Sequence, residues 1–343
     1  MQTTNAQKLY CGADLHGKNV FLSICDETGR NVFRRRVKND LSLLLNTLNP
    51  FKAQLEAIGV ESTFNWYWFV DGLMDEGFPM KLGNPAAMKQ YEGLKTTNDL
   101  TDADWLAEQL RLGIFPECYI YPKETRSIRD TLRKRQLFVY RRTQVGLSLG
   151  GLLERYGVDA PSLGKLEKWT LSDLKALGLD SWVELQMETL LESLQESDRL
   201  VKKLEDRVLA FVKPTREHQC IQVVPGIGKV LGMFIVLESG EFHRFPTAGD
   251  FASYCRTVKS ERTSNEKKKG SNNRKNGNRY LGWAFIEAAT FAARYNPRIH
   301  AWYERKSARS GKIKAKKALA CKLAKAVWHV MNGKDFDLNL LFG

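Results

Sequence analysis

The chain has 343 residues, with 53 Lys and Arg against 39 Asp and Glu and a formal net charge of +14. At roughly 150 residues per domain that length predicts about two domains and a connecting segment, and the basic balance favours a polyanionic partner, nucleic acid ahead of anionic membrane. No apolar run approaches the roughly 18 to 20 residues of a spanning helix, the first ten residues lack the apolar core of a signal peptide, and no Gly-rich loop ends in the Gly-Lys-Ser/Thr of a nucleotide-binding loop; a soluble, intracellular protein that does not consume nucleoside triphosphates is expected.

Three short runs of strand character open the chain, at 9–14, 20–25 and 31–37, with turns at Gly17-Lys18 and Gly29 close enough to make hairpins. A helix over 40–48, an apolar run at 55–60, a helix over 63–76, a strand near 80–82, a helix over 101–112 and a strand at 118–121 follow. Hairpins followed by alternating helices and strands predict a mixed α/β sheet with helices on its faces, an order that fits a ribonuclease-H-like domain without being specific to it. One long helix is expected over 124–155. Its first half carries Arg126, Arg129, Arg133, Lys134, Arg135, Arg141 and Arg142 against Asp130, either as a face for phosphates or as a solvated charged face.

Beyond a connector at 157–164, Met187, Leu190, Leu194, Ser197, Val201, Leu204, Val208 and Phe211 recur at alternating spacings of three and four. That is a coiled-coil seam interrupted at Ser197, which must pack on another helix of this chain or of a second copy, with Pro214 as a stop. Val224-Pro-Gly-Ile-Gly228 is either a helix-hairpin-helix turn, whose amides at Gly226 and Gly228 can hold a phosphate, or a tight turn between core helices. From 256 to 279, nine cations face only Glu261 and Glu266 in a stretch rich in Ser, Asn and Gly, which predicts a mobile loop that an anion would order. It contains Ser260 and Ser264. A serine among cations is where a phosphate would be drawn and where charge on its oxygens would be stabilised, and an ordinary loop serine is the alternative. Helices are expected over 280–295 and 312–329, the latter lysine-rich, and Trp302, Tyr303 and Trp328 belong to the core or stack on an unpaired base. The cysteines at 11, 25, 118, 220, 255 and 321 form no Cys-x-x-Cys pair and read as reduced, mostly buried thiols.

The acids that could do chemistry lie in the first third. Asp14 ends the first strand and Glu61 follows the apolar run 57–60, so both fall near strand ends, where ligands of α/β sheets collect. Asp99 and Asp102, three apart at a helix start, share a face. Singly, each acid has a structural reading: Asp99 and Asp102 suit helix N-termini, and Asp104 is equally placed. Four carboxylates together repel one another unless a divalent cation binds, and an all-oxygen set suits Mg²⁺ or Mn²⁺, which can serve phosphodiester chemistry.

Gly12-Ala-Asp14-Leu-His16, Gly59-Val-Glu61-Ser-Thr63, the segment Lys95 through Asp99 and Asp102 to Ala107, and Val224 to Gly228 with Ser264 to Leu281 occur in this order. Together they resemble, over nearly the whole chain, the insertion-sequence transposases of the family numbered one-ten, in its eleven-eleven subgroup. The resemblance implies an α/β plus α protein: a RuvC-like (ribonuclease-H-like) domain at 1–123 with an Asp-Glu-Asp-Asp tetrad, a helical coiled-coil segment at 124–215, and a mainly helical, basic transposase domain at 216–343. It implies Mg²⁺ or Mn²⁺ on Asp14, Glu61, Asp99 and Asp102, and a serine nucleophile at Ser264. Asn265 stands where many relatives have glycine, so Ser260 is the second candidate. By the same resemblance the enzyme cuts and rejoins donor and target DNA through a phosphoserine, is guided by a structured RNA, assembles as a dimer or tetramer, and works in the cytoplasm of a bacterial or archaeal cell, at the nucleoid. Arg126, Arg129, Arg133, Gly226, Gly228, Lys267, Lys268, Lys269, Arg274 and Lys275 are the expected nucleic-acid contacts. The alternatives are a RuvC-like metal-dependent nuclease or a DNA invertase using carboxylates only, and a non-catalytic nucleic-acid binder.

Overall fold

The computed structural model describes residues 7–88, 99–258, 262–264, 267–270 and 276–342, the side chains at 99–100, 262–264 and 267–270 excepted. The chain divides into two compact units, one built on residues 1–123 and the other on 124–269 and 277–343.

In the first unit the order is β1 (Leu9–Leu15), β2 (Asn19–Asp26), β3 (Asn31–Lys38), α1 (Leu41–Leu48), β4 (Leu55–Glu61), α2 (Trp66–Asp75), β5 (Met80–Gly83), α3 (Pro85–Met88), α4 (Asp99–Arg111) and β6 (Glu117–Cys118). The strands form one sheet in the order β3-β2-β1-β4-β5-β6. β1, β2 and β3 pair antiparallel, β4 joins β1 in parallel, β5 joins β4 in parallel, and β6 returns antiparallel. The tight β2–β3 turn has a local cause: the Asp26 carboxylate accepts from the Thr28 and Arg30 amides while Gly29 takes φ +84°. At the start of α1, Asp40 caps the helix by accepting from the Leu43 amide at 2.9 Å. The strand expected over 118–121 is shorter, ending at Cys118. There the Tyr119 and Tyr121 rings meet edge to face at 4.8 Å, and Pro122 has no amide hydrogen to continue a ladder.

Period-two alternation sends β1 and β4 side chains to two separate cores. Leu9, Cys11, Ala13, Leu15, Ile58 and Val60 pack with Leu44, Leu48, Phe69, Val70 and Leu73 of α1 and α2. On the other face Ala57 joins Leu106 and Leu110 of α4, with Met88, Phe115 and Tyr10. Burial pushes the Cys25 thiol up to about 11 and raises those of Cys11 and Cys255 as well, in keeping with unreactive core thiols.

The second unit is helical apart from one strand pair. It contains α5 (Lys123–Arg155), α6 (Leu163–Leu166), α7 (Leu171–Lys175), α8 (Ser181–Val212), α9 (Arg216–Ile221), α10 (Lys229–Ser239) and α11 (Ala248–Tyr254), then β7 (Arg262–Ser264), β8 (Lys267–Gly270), α12 (Arg279–Tyr295), α13 (Pro297–Ser310), α14 (Lys312–Met331) and α15 (Leu338–Phe342). The expected seam packs within this chain. Leu149, Leu152 and Leu153 of α5 share a core with Val183, Met187, Leu191 and Leu194 of α8 and with Leu166 and Leu174. One expected seam member is corrected: Phe211 is 48% exposed and Val212 beside it is buried, whereas Leu190 packs against the first core next to the buried Leu191. Met187, Leu194, Val201 and Val208 stay buried along the whole helix, as expected. The lower half of α8 belongs to a second core, in which Val208 and Val212 meet Leu132, Phe234, Phe251, Phe285 and Leu323.

Part of the expected mobile loop is also corrected. β7 and β8 pair as a two-stranded sheet, with Ser264 the last residue of β7. Strand pairing gives the backbone partners that a loop would leave to water, and Thr263 is β-branched. α13 was not anticipated from the sequence, although its start is marked: the Asn296 side chain caps the Arg298 and Ile299 amides, and Pro297 occupies the first helical position. Among the described residues no helix is long and apolar enough to cross a membrane.

Candidate active site and nucleic-acid interface

Strand register decides which acids can meet. β1 and β4 run side by side in the same direction with Ala13 opposite Val60, and both of these face the α1–α2 core. The next residues, Asp14 and Glu61, therefore lie beside each other and point to the opposite face, the one α4 covers. Each stands at the carboxyl end of its strand, and both are half-buried.

Gly12 brings α4 to that face. A Cβ at position 12 would fall 2.0 Å from the Ala103 carbonyl oxygen and 2.6 Å from the Ala107 nitrogen, so helix backbone rests directly on strand backbone. Gly59 makes room in the same way for Leu110 and Phe115, each 2.9 Å from its would-be Cβ. Ala103, Leu106, Ala107 and Leu110 form the buried row of α4, and three- and four-residue steps backward along it reach Asp102 and Asp99. Asp104 has another occupation. It accepts from Arg34 Nε at 3.0 Å and from a second Arg34 nitrogen at 2.7 Å, and the Ser23 hydroxyl also donates to it. Its carboxylate thus fastens α4 to β2 and β3.

Two residues at this end of the sheet were not singled out from the sequence. His16 Nε2 lies 2.9 Å from Asp14 Oδ2. The His16 carbonyl accepts from the side chains of Asn39 and Asn65, each at 2.9 Å, and Asn65 also accepts from the Thr63 hydroxyl at 3.1 Å. Asn65 thereby ties the loop leaving Glu61 to the end of the strand that carries Asp14. The available signal was distance in sequence: His16 is two residues past Asp14, and Asn65 is four past Glu61. Among the described residues no group of three or more His, Cys, Asp and Glu forms a metal site, and the Asp99 side chain lies outside the described residues. Asp14 and Glu61, on one face of the sheet, carry carboxylate oxygens of the kind Mg²⁺ and Mn²⁺ accept.

The basic residues of the second unit divide into paired and open ones. The row expected to face phosphate on α5 is corrected in part: Arg126 and Arg129 are buried at 3% and 5% exposure. Arg133 makes a two-pronged pair with Glu238 at 2.6 and 2.7 Å. Burial opposes the Arg133 charge, but the hydrogen bonds and charge of Glu238 outweigh it and raise its pKa. Further along, Arg135 pairs with Glu205 at 2.8 Å and Arg142 with Asp198 at 2.7 Å, holding α5 to α8. The acids that recruit these arginines lie 56 to 105 positions away in the chain, beyond any local reading of the helix. Lys134 and Arg141 remain exposed.

Gly226 takes φ +86°, and a Cβ there would fall 2.1 Å from the Ala288 oxygen of α12, so this glycine is required by close packing. Gly228 is exposed in open space at the head of α10. Ser264 ends β7 and Lys267, Lys268 and Lys269 lie on β8, while Ser260, Arg274 and Lys275 lie outside the described residues.

Comparison with known proteins accounts for both units. A transposase family of the IS110 type, named for its DEDD residues, matches residues 11–158, and the family described as transposase IS116/IS110/IS902 matches residues 218–304. The transposase for insertion sequence element IS1111A of Coxiella burnetii (strain RSA 493 / Nine Mile phase I) is 25% identical over 336 residues, which cover 94% of this chain and 90% of that protein. The first match spans every acid discussed above as a metal ligand and implies a ribonuclease-H-like fold, with which the mixed six-stranded sheet agrees. The second spans the Gly226 turn, β7, β8 and α12. The chain belongs to the IS110/IS116/IS902 family of transposases.

Proposed function

We propose that this transposase cuts and rejoins DNA by transesterification through Ser264, with Asp14, Glu61, Asp99 and Asp102 holding Mg²⁺ or Mn²⁺. The observation that carries the metal reading is the register of β1 and β4, which sets Asp14 beside Glu61 under the helix that bears Asp99 and Asp102. The engagement of Asp104 with Arg34 supports leaving that acid out of the set. When bound, the cation neutralises charge on the phosphoryl oxygens as the strands exchange. The carboxylates hold it in place, and Asn65 keeps the two strand ends together.

In the serine step the Ser264 oxygen bonds to phosphorus and gives up its proton, and the departing strand oxygen takes one. A hydroxyl of the recipient strand then displaces the serine, so the number of phosphodiester bonds is unchanged and no nucleoside triphosphate is needed. Lys267, Lys268, Lys269, Arg274 and Lys275, with the open helix head at Gly228 and the exposed Lys134 and Arg141, contact the phosphate backbone. A structured guide RNA and assembly as a dimer or tetramer complete the proposal, supported by the resemblance of the motifs and by the chain's positive charge.

The Ser264→Ala protein tests it against a nuclease or invertase that uses carboxylates alone. The expected result is loss of strand transfer and of a protein–DNA adduct trapped under denaturing conditions. Full cleavage by Ser264→Ala would establish the carboxylate-only reading instead. Sequencing RNA that co-purifies with the full chain tests the guide, and finding only bulk cellular RNA would remove it.

A further inference from the structure

Glu238 is the one acid in the apolar helix α10, and its side chain is wholly buried. A carboxylate in that position is costly unless it is paired, and an apolar residue would fill the space as well. Here it is met from two directions. Arg133 of α5 grips both oxygens, and the Asn278 side-chain amide donates to Oε2 at 2.7 Å. Asn278 is itself the cap of α12, its Oδ1 accepting from the Tyr280 and Leu281 amides at 2.8 and 3.1 Å. The Tyr280 ring lies 4.6 Å from the Arg133 guanidinium, which gives α12 a further hold on the same arginine.

This network stands where the segment bearing Ser264 returns to the helical core. The Asn278 amide donates to the Tyr254 carbonyl at 2.6 Å, and Arg256 Nε donates to the Gly277 carbonyl at 3.0 Å across 21 positions of sequence. Gly277 takes φ +80°, and a Cβ there would fall 2.5 Å from the Tyr254 oxygen. Arg256 takes φ 55°, unusual for a residue with a side chain, and Thr257 is tied back to the Ala252 carbonyl by both its amide and its hydroxyl. The chain therefore departs at Tyr254–Thr257 and comes back at Gly277–Asn278 through one closed stem, and the returning side of that stem is bonded to a buried ion pair.

We infer that Glu238 and Asn278 are positioning residues, which through the buried Arg133 pair fix the stem of the Ser264-bearing segment and so aim its serine. The inference rests on Ser264 being the nucleophile. A side chain presented from a stem that can shift by an ångström loses the alignment that in-line attack requires, while phosphate contacts spread over many cations tolerate the shift.

Asn278→Ser is the sharper variant, because serine still caps α12 but cannot donate to Glu238 from the same place. Glu238→Gln is the other; it keeps the shape and removes the charge. The probe is a duplex bearing the element's own terminus, presented to the full chain purified with the nucleic acid it retains. For Asn278→Ser the expected single-turnover rate of adduct formation falls by about ten- to a hundredfold, with the dissociation constant for the duplex within about twofold, measured well below a melting temperature that drops by roughly 3 to 8 °C. An unchanged rate in Asn278→Ser, or a loss of rate matched by an equal loss of DNA affinity, overturns the inference. Should Glu238→Gln fail to fold, the Asn278→Ser rate still decides. A Ser264→Ala protein that forms product normally removes the serine reading and this inference with it, whereas a serine-dependent enzyme indifferent to Asn278→Ser removes the positioning role alone.

Discussion

In the sequence, the acids of the first unit and the arginines of the helical unit are alike, charged residues near predicted helices and strands, yet the fold treats them oppositely. Asp14 and Glu61 come from strands whose apolar neighbours face one core, so alternation directs the acids to the other face, the one on which α4 rests. The arginines of α5 lie on a helix whose facing surfaces carry Glu205, Asp198 and Glu238, and Arg133, Arg135 and Arg142 are drawn inward to them. A strand's pattern fixes direction within a few residues; a helix's charge can be neutralised by partners far along the chain.

The largest effect should come from the acidic side of this contrast. Glu61→Gln or Asp14→Asn should reduce strand cleavage on the order of a thousandfold, the scale of losing several kcal/mol of charge stabilisation, while binding of DNA persists. Cleavage assayed over a Mg²⁺ titration checks this, and wild-type cleavage by either variant would break the reading of the first unit. Next in size, Gly12→Ala should destabilise the first unit by about 3 kcal/mol, because the methyl group overlaps the backbone of α4. Chemical denaturation reads that loss, and an unshifted midpoint would mean that α4 does not rest on β1.

The smallest effects separate the two kinds of arginine. Arg142→Met should cost about 2 kcal/mol of stability through the bond lost to Asp198, and leave the salt dependence of DNA binding alone. Arg141→Gln with Lys134→Gln should do the reverse, lowering the slope of log affinity against log salt by about 0.9 for each phosphate contact removed. Acid gives a further check. Burial alone would raise the Asp198 pKa, but hydrogen bonds from Lys202 and Arg142 and their charges bring it below the ordinary carboxylate value. A value lowered by folding adds stability that is complete above the ordinary value and disappears as the pH falls through the lower one. The melting temperature of the wild type should drop over that acid window, and Asp198→Asn should flatten the drop.

Much of the first unit was legible because its signals are local. The runs at 9–14, 20–25 and 31–37 match β1 to β3 to within a residue or two at most ends, and the glycine at 29 marks the turn it makes. The carboxyl-end placement of Asp14 and Glu61 follows from the same alternation. What was not legible depends on partners. Asp104 is set apart by Arg34 and Ser23, 70 and 81 positions earlier, and the network around Glu238 joins three helices. A trace of it was present, since one acid in the apolar run of α10 calls for a cation. The sheet-like pairing of β7 with β8 was hidden by a composition that otherwise suits a loop.

The antiparallel course of β1 to β3 also gives the sheet two unlike rims. The Gly17-Lys18 bend sits on the rim shared with Asp14 and Glu61, whereas the Thr28-Gly29 bend sits on the far one, because β2 runs from Phe21, opposite Asp14, to Asp26, opposite Leu9. Lengthening the chain at the far bend leaves the pairing of Ala13 with Val60 untouched, so that rim is where a fused tag or an evolutionary insertion can be accommodated while the carboxylates keep their spacing.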